Sequence, residues 1–183
     1  MAIPKKVELL EEHVLFRGKR LLLAKRVYEL DGAKFVAEVV KFGQAAAIVP
    51  IKDDGKVIMI RQFRSSLNKW ILEVPAGKVD PGESPEEAAR RELIEEVGYK
   101  AGELEKLASI YMSPGYSDEI LHIFLAKNLI HVGRNPDPDE LIEMVDVKLE
   151  DAINMVLSED AADSKTLSAL FLANERLKGA CSV

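Results

Sequence analysis

Midway along the chain, apolar and acidic residues recur at helical spacing. At 3.6 residues per turn, Leu93, Ile94 and Val97 gather on one side of a helix, and Glu92, Glu95 and Glu96 gather on the other, with Ala88 and Ala89 beside them. Both ends of this helix are written in the sequence. Ser84 is a natural N-cap, Pro85 suits the first turn, and Glu87 completes a capping box three residues after the serine. Gly98 is placed to end the helix in a left-handed conformation. The pattern predicts a helix over 85–97 with one core face and one acidic face.

Elsewhere the periodicity is that of strands. Residues 19–30 and 33–41 flank Asp31-Gly32, a strong hairpin turn, and carry Leu21, Leu22, Leu23, Val27, Phe35, Val36, Val39 and Val40 on both faces. Such a hairpin has to bury against its own domain or against a partner subunit. A second hairpin is predicted over 45–51 and 56–62 around Asp53-Asp54-Gly55, and its nearly continuous apolar runs suggest central strands. Further strands are read at 104–112, 120–126 and 142–148, and helices at 149–157 and 164–178. The last helix is capped near Asp163 or Ser164 and ended by Gly179, and its buried stripe is read as Leu167, Leu170, Phe171 and Leu177. The sum is an α/β class chain, a mixed sheet between helices in an α/β/α sandwich, preceded by an antiparallel β-hairpin. The division expected is an N-terminal segment at 1–42 and a main domain at 43–183.

A chain of 183 residues that is 48% hydrophobic supports one main core. Its formal charge of −6, with no Lys/Arg-rich run, argues against a nucleic-acid partner. The single cysteine, Cys181, allows no intrachain disulfide and no cysteine metal site. With no apolar run of membrane-spanning length and no signal-peptide core, a cytoplasmic setting without membrane association is expected. His13, His122 and His131 have no partners at ligand spacing and read as structural or surface residues.

A Glu-rich helix face is ordinarily just solvated. Here Glu92 and Glu96 repel at i, i+4, and Glu95 and Glu96 lie in the last turn, where the helix dipole disfavours negative charge. Each effect costs about a few tenths of a kcal/mol. A hard divalent cation reverses the sign of that electrostatics. The candidate ligands are all oxygens, which suits Mg²⁺ or Mn²⁺ rather than Zn²⁺.

Gly77, five residues, Glu83, seven residues, Arg91-Glu92-Leu93, one residue, Glu95-Glu96, one residue and Gly98 together resemble the Nudix box, the motif of hydrolases that cleave a nucleoside diphosphate linked to another moiety. Tyr99 stands where that family usually has an aliphatic residue, at a position that is structural. Pro114, sixteen residues beyond Gly98, and the Ser117-Asp118-Glu119 run resemble the ADP-ribose pyrophosphatase branch.

The resemblance implies a Mg²⁺- or Mn²⁺-dependent enzyme acting on a small nucleoside diphosphate, with ADP-ribose cleaved to AMP and ribose 5-phosphate. It implies metal ligation by Glu92, Glu95 and Glu96, helped by the Ala76 carbonyl and Glu83, with Gly77, Arg91 and Gly98 structural in the motif. Similar enzymes take a catalytic base from the stretch 137–140. Glu140 is the first choice, Asp139 and Asp137 remain open, and so does metal ligation by Glu140; Glu95 is a further catalytic candidate. Arg61, Arg64 and Glu73, which lead into the box, join Pro114 and Glu119 as candidates for substrate contact. The resemblance also implies a homodimer formed through the N-terminal sheet. Two rival readings are another nucleotide-sugar pyrophosphatase and a module that senses ADP-ribose without cleaving it.

Overall fold

The computed structural model describes residues 6–135 and 141–180. The chain forms two compact units. One runs to Gly43 and takes in Tyr111–Ile120; the other comprises Gln44–Ile110 and the chain from Leu121 onward.

The first unit is an antiparallel sheet in the order β1 (Glu8–Arg17), β2 (Leu22–Leu30), β3 (Ala33–Lys41). The Asp31-Gly32 turn forms as expected, with φ of 53° and 80°, the left-handed pair that a two-residue hairpin loop requires. The third strand, β1, goes beyond the expected hairpin. Its ladder with β2 is interrupted between Leu9 and Glu11 and between Val14 and Phe16, and such irregularities break the period of two by which strands are read. Glu12 ties the sheet together by accepting hydrogen bonds from Arg26 Nε (2.7 Å) and Lys41 Nζ (2.8 Å). The segment after β8 is laced to the end of β3: Val40 N donates to Tyr116 O (2.7 Å), and Asp118 Oδ1 accepts from the amides of Phe42 and Gly43.

The second unit continues with β4 (Gln44–Pro50), β5 (Lys56–Arg64), β6 (Lys69–Glu73), β7 (Ala76–Lys78), α1 (Pro85–Val97), β8 (Tyr99–Tyr111), β9 (Ile120–His131), β10 (Ile142–Lys148), α2 (Leu149–Leu157) and α3 (Ser164–Ala180). The expected second hairpin is split. β4 lies inside a sheet ordered β7-β4-β9-β8 and β5 inside another ordered β10-β5-β6, and an isolated Ile51–Val57 bridge lies at the turn between them. Each strand has both edges taken by other partners, so pairing between them stops at the mouth of the turn. Both are central and fully buried, from Ala46 to Val49 and from Val57 to Ile60, as their continuous apolar runs require.

One face of each sheet meets α1: Ala46, Ile48, Ile58, Ile60, Phe124 and Ala126 pack with Ala88, Ala89, Leu93 and Val97. Helix α3 also packs on β4, and α2 packs on β5 and β10. This gives the helix, sheet, helix layering. The stripe α3 buries is Thr166, Ala169, Leu170 and Ala173, of which only Leu170 belongs to the expected stripe. Leu167 and Leu177 are half-buried and Phe171 is exposed. Nor does Gly179 end the helix, which runs on through Ala180.

Asp163 caps α3 and couples it to the strand leading into the box. Its Oδ2 accepts from Thr166 N (2.9 Å) and Thr166 Oγ1 (2.7 Å), and the same hydroxyl oxygen accepts from Val74 N (3.1 Å). Burial raises the Asp163 pKa, but the charge of Lys165 and the Thr166 hydrogen bonds outweigh it, so the carboxyl titrates below its ordinary 3.8. A depressed acid stabilises the fold above its unfolded pKa and loses that contribution as pH falls through the folded value. Asp163→Ala is therefore expected to cost about 1 kcal/mol at pH 7. In urea titrations run at successive pH values, the gap from wild type should close below about pH 4.

Candidate active site

Helix α1 is capped as its sequence predicts. Ser84 Oγ accepts from Glu87 N (3.2 Å), Glu87 Oε2 accepts from Ser84 N (2.7 Å), and Gly98 closes the helix at φ 78°. The backbone bond from Ser84 lowers the Glu87 pKa.

The acidic face is where the structure departs from the expected pattern. Ile94 is only half-buried, while Glu92 and Glu96, at 7% and 0% exposure, are buried as deeply as the core residues Leu93 and Val97. The helix therefore turns carboxylates inward, onto β7. Glu96 Oε2 accepts from Ala76 N (2.8 Å). A β-carbon at Gly77 would overlap the Glu92 carboxylate, so any side chain there would displace that carboxylate from its place against β7.

Arg91 is the cation of this cluster. Nε and Nη2 hold the two oxygens of Glu83, both at 2.9 Å, Nη1 reaches Glu92 (2.6 Å) and Glu95 (3.0 Å), and Nη2 also donates to Lys78 O (2.9 Å). Hydrogen bonding to Glu83, followed by Glu92 and Glu95, raises the Arg91 pKa above its ordinary value, and Arg91 lowers that of Glu83. One guanidinium against four glutamates leaves an excess of negative charge. Among the described residues no three such side chains close into a ready cation cage. The donor set nonetheless fits a hard divalent cation, since it is all oxygen and Glu92 and Glu95 already share one positively charged nitrogen.

The remaining predicted residues are dispersed. Glu73, 2% exposed, is held by Arg64 Nε (2.8 Å) and Lys165 Nζ (3.2 Å), so its carboxylate is committed to that network. Arg61 lies on β5 opposite Glu143 and Leu72. Pro114 and Glu119 belong to the first unit, where Pro114, Arg26, Tyr28, Tyr111 and Tyr116 line a cavity of about 480 Å³. Asp137, Asp139 and Glu140 lie outside the described residues. Buried His122 has both ring nitrogens engaged, by Ser109 Oγ and Gln44 Oε1, each at 2.8 Å, and burial followed by the nearby Lys106 lowers its pKa. Lys165 and Thr166, which brace Glu73 and Val74, escape sequence reading; their only local signal is the Asp163-x-x-Thr166 cap.

The chain matches the NUDIX domain over residues 41–171. It is 44% identical over 159 residues to the ADP-ribose pyrophosphatase of Bacillus subtilis, spanning 85% of this chain and 86% of that protein. It is 36% identical to the methanol dehydrogenase activator of Bacillus methanolicus over the same shares. A solved structure of an ADP compounds hydrolase superposes with a TM-score of 0.88 at 30% identity, covering both chains in full.

The packing at Gly77 makes a stability prediction. Gly77→Ala should cost about 1–3 kcal/mol in chemical denaturation, the usual range for an added methyl with no room. The same substitution should cost measurably less in a Glu92→Ala background, where the obstructing carboxylate is gone; equal costs in both backgrounds would refute the contact.

Proposed function

The chain belongs to the Nudix family of hydrolases, and from that premise we propose that it hydrolyses ADP-ribose to AMP and ribose 5-phosphate with Mg²⁺ or Mn²⁺. The observation that carries this reading is the inward-turned acidic face of α1, where Glu92 and Glu96 are buried against Ala76-Gly77. The named activity of the 44%-identical relative supports the choice of substrate.

Glu92, Glu95 and Glu96 hold the cation, with Glu83 and the Ala76 carbonyl assisting. A divalent cation supplies charge neutralisation of the diphosphate and acidification of a water. Water adds to phosphorus, a P–O bond of the diphosphate bridge breaks, and the displaced phosphate leaves as a monoester. Arg91 orients the carboxylates of Glu92 and Glu95. Arg64 is engaged by Glu73, so Arg61 is the guanidinium assigned to the diphosphate. A carboxylate committed to a cation is a poor proton acceptor, so the base is assigned to the acidic stretch, Glu140 first and Asp139 or Asp137 otherwise. Pro114 and Glu119 are assigned to the nucleoside and ribose; the tyrosines and arginine around Pro114 suit a planar base.

The chain acts as a homodimer through its N-terminal segment. Support comes from the apolar surface that the first unit exposes, including Leu9, Val14, Leu15, Phe16, Phe35 and Val36. Among the described residues no helix is long and apolar enough to cross a membrane, and the lone Cys181 suits a reducing, cytoplasmic setting.

A substrate panel of ADP-ribose, nucleotide sugars and dinucleotides with Mg²⁺ and Mn²⁺ should give AMP fastest from ADP-ribose; faster turnover of a nucleotide sugar would reassign the substrate. Glu96→Gln keeps an acceptor for Ala76 N and should fold normally, yet lose at least the roughly 100-fold that removing a mere supporting partner can cost. Glu140→Gln should slow turnover by about 10²–10⁴-fold without rescue by excess metal. Sedimentation at micromolar concentration should show a dimer, and a monomer would remove that assignment.

A further inference from the structure

The C-terminal turn of α1 poses an electrostatic problem that the helix does not solve itself. It carries Glu92, Glu95 and Glu96 toward its negative end and has no basic residue in its last turn. The chain that follows β9 comes back to this end. Gly98 O accepts hydrogen bonds from Val132 N (2.8 Å) and Gly133 N (3.2 Å), and Glu95 O accepts one from Asn135 N (3.3 Å).

Between these donors sits Arg134. Its Cγ would lie 2.9 Å from a β-carbon on Gly98, with Gly133 C at 2.9 Å and Arg134 N at 3.0 Å. Gly98 is thus fixed twice, by its left-handed backbone and by the lack of room. The guanidinium donates from Nη2 to Ile142 O at 3.4 Å, while Nε is buried with no hydrogen-bond partner among the described residues. Arg134 as a whole is half-buried, and its place beside the C-terminus of α1 is one where a cation is favourable.

We propose that Arg134 is a positioning residue for the metal-binding carboxylates of α1: it clasps residues 132–135 onto Gly98 and Glu95 and anchors that turn to Ile142 at the start of β10. The inference rests on the Nudix reading of Glu92, Glu95 and Glu96. It gives Arg134 no contact with substrate. Its effect passes through the backbone of the last helical turn, which sets where the Glu95 and Glu96 side chains depart.

The test is Mn²⁺ binding by electron paramagnetic resonance on the full chain, beside hydrogen exchange of the Val132, Gly133 and Asn135 amides. Loss of a positive charge alone would tighten cation binding, so the sign separates position from charge. Arg134→Gln is expected to expose those amides and to weaken Mn²⁺ binding by about 10–100-fold, the usual cost of losing a group that orients metal ligands. The fall in ADP-ribose turnover should appear in kcat with KM unchanged, and Arg134→Lys should restore part of both losses. Asn135→Pro, which deletes the donor to Glu95 O and leaves the Arg134 charge, should weaken Mn²⁺ binding in the same direction and keeps the test open if Arg134→Gln does not fold. Unchanged or tighter Mn²⁺ binding in either folded variant overturns the proposal. A wild type that binds Mn²⁺ but releases no AMP refutes the substrate reading alone, whereas a wild type that binds no Mn²⁺ refutes both.

Discussion

Burying Glu92 and Glu96 beside Ala76-Gly77 sets the terms for everything around them. Carboxylates withdrawn from water cost several kcal/mol each unless charge and hydrogen bonds are returned to them. Arg91 returns charge from within the same helix, with Glu83 held on its far side. The Ala76 amide returns a hydrogen bond from β7. Gly77 contributes by having no side chain, since any β-carbon would occupy the space of the Glu92 carboxylate. Arginine suits this role better than lysine because its planar fork binds both Glu83 oxygens and still has a nitrogen left to bridge Glu92 and Glu95.

That arrangement needs β7 to stay still, and the rest of the second unit is built to hold it. β7 is a three-residue edge strand, too short to be rigid alone, paired to β4 through Ala45, Ala46 and Ala47. β4 lies under both α1 and α3, so a single buried strand carries both helices and the segment facing the carboxylates. Just upstream, Val74 is tied to Thr166, and Glu73 is fixed between Arg64 and Lys165. The chain entering the box is therefore braced by α3 on one side of β4, and the box helix packs on the other.

The first unit contributes chemistry of a different kind. Its sheet exposes aliphatic and aromatic residues, and its cavity is lined by tyrosines, an arginine and the Pro114 loop. Among the described residues the clustered carboxylates Glu83, Glu92, Glu95 and Glu96 lie in the second unit and the aromatic cavity in the first. Acidic cluster and aromatic surface are thus carried by separate pieces of one chain, and Tyr111–Ile120 groups with the N-terminal sheet despite its distance in sequence because Val40, Phe42 and Gly43 hydrogen-bond to it.

What the sequence determined by itself is whatever depends on neighbours within one turn of helix or across one tight turn. The Ser84-Glu87 box, the Gly98 stop, the Asp31-Gly32 hairpin and the motif residues from Gly77 to Gly98 were legible because capping, left-handed glycine and fixed spacing are local. The tertiary structure decided which face of α1 is buried: an acidic stripe reads as solvated until Ala76-Gly77 and Arg91 are brought to it. It also decided that β4 and β5 part into different sheets, since strand partners are chosen by residues far away in the chain. It placed Thr166, Ala169 and Ala173 beside the expected Leu170 on the buried stripe of α3, since which face of a helix is covered depends on elements far away in the chain. Arg134 and Lys165 were invisible for the same reason. Only folding brings Arg134 beside the end of α1 and Lys165 against the buried carboxylate of Glu73.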